Sequence, residues 1–141
     1  MSRDESAEVL SRTAMDFLNA FTSGNVEKAW SFCTDDFRWT MMDKRMGGGE
    51  PASFSKDDYI KMVSGFGGIF PQGIRMEFEA PLAGKDRVAV EARSEGLMKN
   101  GNAYRNLYVF MLRFSGGRIK EIREYLDSGY AHRTLDAVTA T

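Results

Sequence analysis

Two glutamates and an arginine are the residues of this 141-residue chain whose types and spacing best suit chemistry. Glu124 lies in GGRIKEIREYLDSGY, residues 116–130, where Ile119, Ile122 and Leu126 are interspersed with charge. Glu95 and Arg93 lie in VAVEARSEG, residues 88–96. A carboxyl in an apolar pocket has its pKa raised because burial penalises the anion, whereas one beside a guanidinium stays ionised. On neighbouring strands, Glu124 and Glu95 with Arg93 nearby can therefore form a tuned acid–base pair that gives and takes a proton. The same three residues also suit a satisfied structural network with no chemistry. The strands that carry them decide whether they meet.

Leu10, Ala14, Phe17, Leu18 and Phe21 recur at helical steps and stop at Ser23-Gly24-Asn25, which predicts a first amphipathic helix. Val26, Ala29, Trp30 and Cys33 share one face of a second, with Asn25 as its cap. This places Cys33 in the core rather than at a nucleophilic site. Phe37 to Met42 alternates with a period of two and reads as a short strand, followed by a plain Gly47-Gly48-Gly49 loop. Ser55 with Asp58 signals the start of a third helix carrying Tyr59, Ile60, Val63 and Phe66. From Ile74 the period is two, with strands expected near 74–80, 87–98, 103–114 and 118–127 as an antiparallel meander. The tail from Ala131, with His132, reads as a frayed, exposed extension.

Asn100-Gly101 suits a two-residue type I′ loop, since both residues tolerate positive φ. That register sets Glu95 opposite Asn106, Arg93 opposite Tyr108 and Glu91 opposite Phe110. A three-residue turn at Ser115-Gly116-Gly117 then sets Ile122 opposite Phe110 and Glu124 opposite Tyr108. One face would gather Glu91, Arg93, Glu95, Tyr104, Asn106, Tyr108, Phe110, Leu112, Ile122, Glu124 and Leu126. Aromatic walls with a few polar groups are the composition of a ligand cavity. Trp39, Met41 and Tyr59 are expected to line it with Glu91, Asn106, Tyr108, Phe110, Ile122 and Leu126. The other face would carry Val88, Val90, Ala92, Leu107, Val109 and Met111, apolar enough to need a partner chain. A homodimer through this outer sheet face is the simplest closed solution.

Lys and Arg number 19 against 20 Asp and Glu without blocks of like charge, so no nucleic-acid or polybasic membrane footprint is present. No apolar run has the length of a membrane span. One cysteine excludes an intrachain disulfide, and MSRDESAEVL is too acidic and broken for a signal peptide, so a cytoplasmic location is expected. One cysteine and one histidine leave little for a metal centre, and neither metal nor cofactor is expected. The partner indicated is a small hydrophobic molecule, held by a single domain spanning 1–141. The nine methionines suit an adaptable lining or plain core filling.

Three helices, a strand between the second and third, and a meander built from VAVEARSEG, NGNAYRNLYVFMLRF and GGRIKEIREYLD resemble the SnoaL-like branch of the nuclear transport factor 2-like superfamily. Ketosteroid isomerase and limonene epoxide hydrolase belong to that superfamily. The resemblance covers about residues 7–135 and implies an α+β, cystatin-like fold: a cone of curved mixed or antiparallel sheet wrapped around three N-terminal helices. It also implies a pocket in the concavity and a homodimer through the sheet. It sets Glu124 at the last-strand Asp of the epoxide hydrolases, and Arg93 with Glu95 at their Arg-x-Asp pair once two turn residues are removed. Trp39 and Met41 stand where the water-holding Tyr and Asn would be. Against ketosteroid isomerase, Asp43 near the rim is the residue that could serve as base. Three readings remain open: an isomerase, cyclase or hydratase using pocket carboxylates; a non-catalytic binding or regulatory module; and a purely dimeric interaction protein whose pocket face is filled by helix residues such as Phe17, Phe21 and Tyr59.

Overall fold

A computed structural model describes residues 3–139. The order is α1 (Arg3–Thr22), α2 (Val26–Ser31), β1 (Cys33–Met41), β2 (Ala52–Phe54), α3 (Lys56–Ser64), β3 (Ile74–Phe78), β4 (Leu82–Gly84), β5 (Arg87–Leu97), β6 (Ala103–Ser115), β7 (Arg118–Leu126) and α4 (Ser128–Thr139). One sheet runs β2-β1-β7-β6-β5-β3, with β4 also on β5. Only the β1–β7 pairing is parallel, so the sheet is mixed and mostly antiparallel, as the α+β reading requires.

The helix caps follow the sequence. Asn25 Oδ1 accepts from the Lys28 N–H, and Ser55 Oγ from the Asp58 N–H. Both bonds satisfy donors that a helix start leaves unpaired. Ala14, Phe17 and Leu18 of α1 are buried against Phe37, Trp39, Val88, Val90, Phe110, Leu112 and Ile122 of the sheet. Fully burying one such large apolar side chain contributes about 1.5–3 kcal/mol. Cys33 departs from expectation in its element, because α2 ends at Ser31 and Cys33 opens β1 opposite Ile119. It is still core: the side chain is fully buried, and desolvation pushes its thiol up to about 12.

The 97–103 connection corrects the expected register. Gly101 N–H donates to Met98 O and Met98 N–H to Asn102 O. The loop is therefore Lys99-Asn100-Gly101, three residues rather than two, with Gly101 in the left-handed region at φ +88°. The partners become Glu95–Arg105, Ser94–Asn106, Arg93–Leu107 and Glu91–Val109. A one-residue slip turns every side chain of a strand over. Glu91, Arg93 and Glu95 thus face outward, while Val88, Val90, Ala92 and Ser94 face inward and are buried. The expected outer apolar face is accordingly reduced to Leu107, Val109 and Met111, set among charged neighbours such as Arg93 with Glu77 and Arg113 with Glu121.

At the second hairpin two departures cancel. The loop is Gly116-Gly117, both with positive φ, rather than three residues, and a bulge follows near Arg113 and Phe114. Together they shift the pairing by two, so Glu124 meets Phe110, Ile122 meets Leu112 and Leu126 meets Tyr108. Two residues restore the parity of a strand, so these three keep the face expected for them.

The segment after β7 is a helix, not a frayed tail. Asp127 Oδ1 accepts from the Tyr130 N–H at its start. Ala131, Leu135 and Val138 form a stripe at i, i+4 and i+7, and the helix packs on a second cluster with Ile69, Phe70, Met98 and Tyr104.

The register has a direct test. Glu95→Cys with Arg105→Cys should cross-link under mild oxidation, because register partners lie about 4.5–5.5 Å apart at Cα. Glu95→Cys with Asn106→Cys should not, since those side chains leave opposite faces. Mobility on a non-reducing gel separates the two.

Candidate functional site

Between the concave sheet face, α1, α3 and α4 lies a cavity of about 410 Å³. Its walls are apolar: Leu18 and Phe21 from α1, Met62 and Val63 from α3, Phe78, Phe110 and Leu126 from the sheet, and Leu135 from α4. The volume falls within the range of about 300–1,000 Å³ usual for small-molecule sites. A more open hollow of about 660 Å³, between the α1–α2 turn and β3, contains neither Glu124 nor Asp43.

Glu124 lines the cavity and is only 6 % exposed. Its Oε1 accepts from Trp39 Nε1–H at 2.9 Å and from the Tyr59 hydroxyl at 3.1 Å. The two donor rings stack 3.9 Å apart at 10°, which fixes both donors together. β1 supplies Trp39 because Trp39 and Ile122 are register partners, one strand step before Met41 and Glu124. Burial pushes the Glu124 carboxyl up to about 7 from its ordinary 4.5, while the bonds from Trp39 and Tyr59 pull partly the other way. Burial also holds the Tyr59 phenol well above its ordinary value, with the neighbouring Glu124 adding to the effect, so Tyr59 stays a donor.

Further polar groups of the lining come from β6, where Tyr108 is braced by Ser94 of β5. Ser94 Oγ and Tyr108 Oη lie 2.9 Å apart, and Tyr104 also lines the cavity. Asp43 Oδ2 and His132 Nε2 are 2.7 Å apart, and both line the same cavity. Asp43 Oδ1 accepts from the backbone N–H of Arg45 at 3.1 Å and of Met46 at 3.4 Å, so the carboxylate is held from two sides.

Of the residues expected to line a ligand site, Trp39, Met41, Tyr59, Tyr108, Phe110 and Leu126 do line the cavity with Glu124. Asn106 is buried and donates to Tyr104 Oη at 2.8 Å and to Asp127 O at 3.2 Å, so it braces a lining residue. Ile122 is fully buried in the core. Glu91, Arg93 and Glu95 are on the other face, and the expected pairing of Glu95 and Arg93 with Glu124 does not occur. Arg93 instead donates to Glu77, and Glu95 sits between Arg75 and Arg105. His132, expected to be exposed, is partly buried against Asp43. Its partner lies 89 residues away, which no local pattern reveals, but the apolar stripe around it was readable as a helix.

A family model described as a SnoaL-like domain matches residues 14–122. No curated protein matches the sequence. Among solved structures, the pinacolase BvnE from Penicillium brevicompactum superposes with a TM-score of 0.81 at 16 % identity, covering 100 % of this chain and 98 % of that one. An NTF2-like protein of unknown function from Burkholderia pseudomallei gives 0.74 at 19 % identity, covering 89 % and 95 %. TerC, co-crystallised with polyporic acid, gives 0.76 at 15 % identity, covering 91 % and 98 %. At these identities the likeness is one of fold. Among the described residues, no helix is long and apolar enough to cross a membrane.

Burial of Glu124 predicts a pH-dependent stability. Between about pH 4.5 and 7 the folded chain keeps a proton on Glu124 that the unfolded chain has released. Stability present below 4.5 is therefore lost as pH rises through 7. At 1.36 kcal/mol per pH unit the loss is on the order of 3 kcal/mol. Urea denaturation across this window should show that slope, and Glu124→Gln, whose amide oxygen still accepts both donors, should remove most of it.

Proposed function

We propose that this chain, which belongs to the SnoaL-like domain family, binds a small, largely apolar molecule in the cavity and moves a proton on it through Glu124. The observation that carries the reading is a carboxyl buried in an apolar cavity and poised near neutral pH, beside donors that bear no charge. General acid–base groups work best when their pKa lies near the operating pH. Trp39 and Tyr59 hold Oε1, and Oε2 is the oxygen assigned to carry the proton.

Isomerisation, cyclisation and hydration all fit such a group, because each needs a proton delivered or removed in a dry site. None transfers electrons, so the reading asks for no cofactor. The epoxide-hydrolase arrangement is not supported, since Trp39 is engaged with Glu124, and Arg93 and Glu95 lie on the other face of the sheet. A second reading, a non-catalytic binding or regulatory module, draws support from the two hydrogen bonds that already satisfy Glu124 Oε1. In that case the carboxyl is only the polar anchor of a ligand pocket.

The proposal includes a second copy of the chain docked on the outer face of β6, where Leu107 is 68 % exposed beside Val109 and Met111. An isologous contact would bury this stripe against itself. Light scattering at micromolar concentration should give a dimer and Leu107→Arg a monomer, whereas a monomeric parent protein contradicts this part.

Native mass spectrometry of the purified protein should identify a retained ligand, from which a substrate can be chosen. Glu124→Gln should then lower turnover by about 10²-fold or more, the usual worth of a positioned acid or base, while ligand affinity changes by less than about threefold. Unchanged turnover in the variant would overturn the role of Glu124, and a retained ligand that the parent protein does not convert would leave the binding module as the correct reading.

A further inference from the structure

We infer that His132, oriented by Asp43, is a second proton-transferring group of the cavity and works with Glu124 on a ring-bearing carbonyl compound. The inference rests on the proposed role of Glu124 and extends it to the partner that such a group needs.

Three observations place the dyad. First, Met41 is the Cα partner of Glu124, and the Met42 N–H donates to Glu124 O at 2.9 Å. The Asp43 N–H donates to Met41 O at 2.8 Å, so a tight turn at Met42 ends the strand just past Glu124's partner. Asp43, His132 and Glu124 all line the one cavity of about 410 Å³, which has room for a small ring system against the apolar Met41 and Leu126. Second, Asp43 is 7 % exposed and its Oδ1 is occupied by two backbone N–H groups, so Oδ2 meets His132 from a fixed position. Third, the histidine's element is anchored independently: Asp127 caps α4, Val138 is buried, and Arg45 pairs with Asp136 at 3.0 Å on the surface. The Arg45–Asp136 pair already ties the 43–50 loop to α4. Tethering is thus provided for without a carboxylate and imidazole in the cavity wall.

The hydrogen bond also settles which nitrogen acts. With Nε2–H donated to Asp43, the neutral ring presents the Nδ1 lone pair. In the proposed step Nδ1 takes a proton from a carbon next to a carbonyl. The C–H electron pair forms a C=C bond, and the carbonyl π pair takes the proton from Glu124 Oε2. The product is an enol, with an imidazolium at His132 and a carboxylate at Glu124. Reversal returns the enol proton to Glu124 and delivers the imidazolium proton to the same or a conjugated carbon, which restores both groups. Asp43 acts as a positioning residue that stabilises the imidazolium.

His132 is the sole histidine, so 15N-histidine labelling yields one imidazole spectrum. 2-Naphthol, a flat apolar hydroxyarene, stands in for the enol. The spectrum of the free protein near pH 8 should show Nε2 protonated and Nδ1 bare, and saturating 2-naphthol should shift the Nδ1 signal strongly. Asp43→Asn should mix the tautomers. If tryptophan fluorescence shows 2-naphthol bound while Nδ1 does not move, the role of His132 is overturned and that of Glu124 survives. If 2-naphthol does not bind at millimolar concentration, both fall. Turnover gives the second measurement, as deuterium uptake next to the carbonyl of 1-tetralone in D2O. His132→Gln and His132→Asn should lower kcat at least tenfold with KM within threefold of the parent. Exchange lost in Glu124→Gln but retained in both histidine variants overturns the dyad alone.

Discussion

Glu124 sits on β7 with its carboxyl withdrawn from water, and the indole of Trp39 and phenol of Tyr59 replace the lost hydration. An unpaired carboxylate in such a place would cost several kcal/mol, so these donors must arrive together and stay in place. Trp39 comes from β1 and Tyr59 from α3, and their stacked rings meet Phe21 of α1. One buried acid therefore couples the parallel β1–β7 pairing, the seating of α3 and the position of α1. The aromatic core is also the scaffold of the site.

The outward turn of Arg93 determines what kind of acid Glu124 is. Had β5 presented Arg93 and Glu95 inward, a guanidinium near Glu124 would favour its anion and draw its pKa down. The observed register offers Ser94 and its neutral contact with Tyr108 instead. Neutral donors only partly offset desolvation, and the carboxyl is left poised near 7. One residue in a hairpin loop thus separates a surface ion-pair ladder, with Arg93 on Glu77 and Glu95 between two arginines, from a cavity acid able to hold and release a proton.

Much of the fold was legible because its signals are local: helical spacing in α1, the Asn25 and Ser55 caps, and period two through β5, β6 and β7. The register at Asn100-Gly101 was not, because the same dipeptide serves a two-residue loop and the last two positions of a three-residue loop. At Gly116-Gly117 the departure is of the opposite sense, two loop residues in place of three, and the bulge adds a second shift that leaves Glu124 on the expected face. Parity, rather than strand position, is what sequence specified weakly. The helix at 128–139 was readable from the Asp127 cap and the stripe of Ala131, Leu135 and Val138. Its contact with Asp43 was not, since only the closed fold brings residues 43 and 132 together.

Glu124 combines burial with hydrogen bonds from two uncharged donors, and its protonation can be read directly. 13C labelling of glutamate side-chain carboxyls, followed by NMR from pH 3 to 9 and assigned with Glu124→Gln, isolates its titration. The account predicts one carboxyl with a midpoint near 7 that is missing from the variant. A Glu124 signal that titrates near 4.5, with the bulk of the glutamates, would contradict the buried, neutral acid on which the site depends.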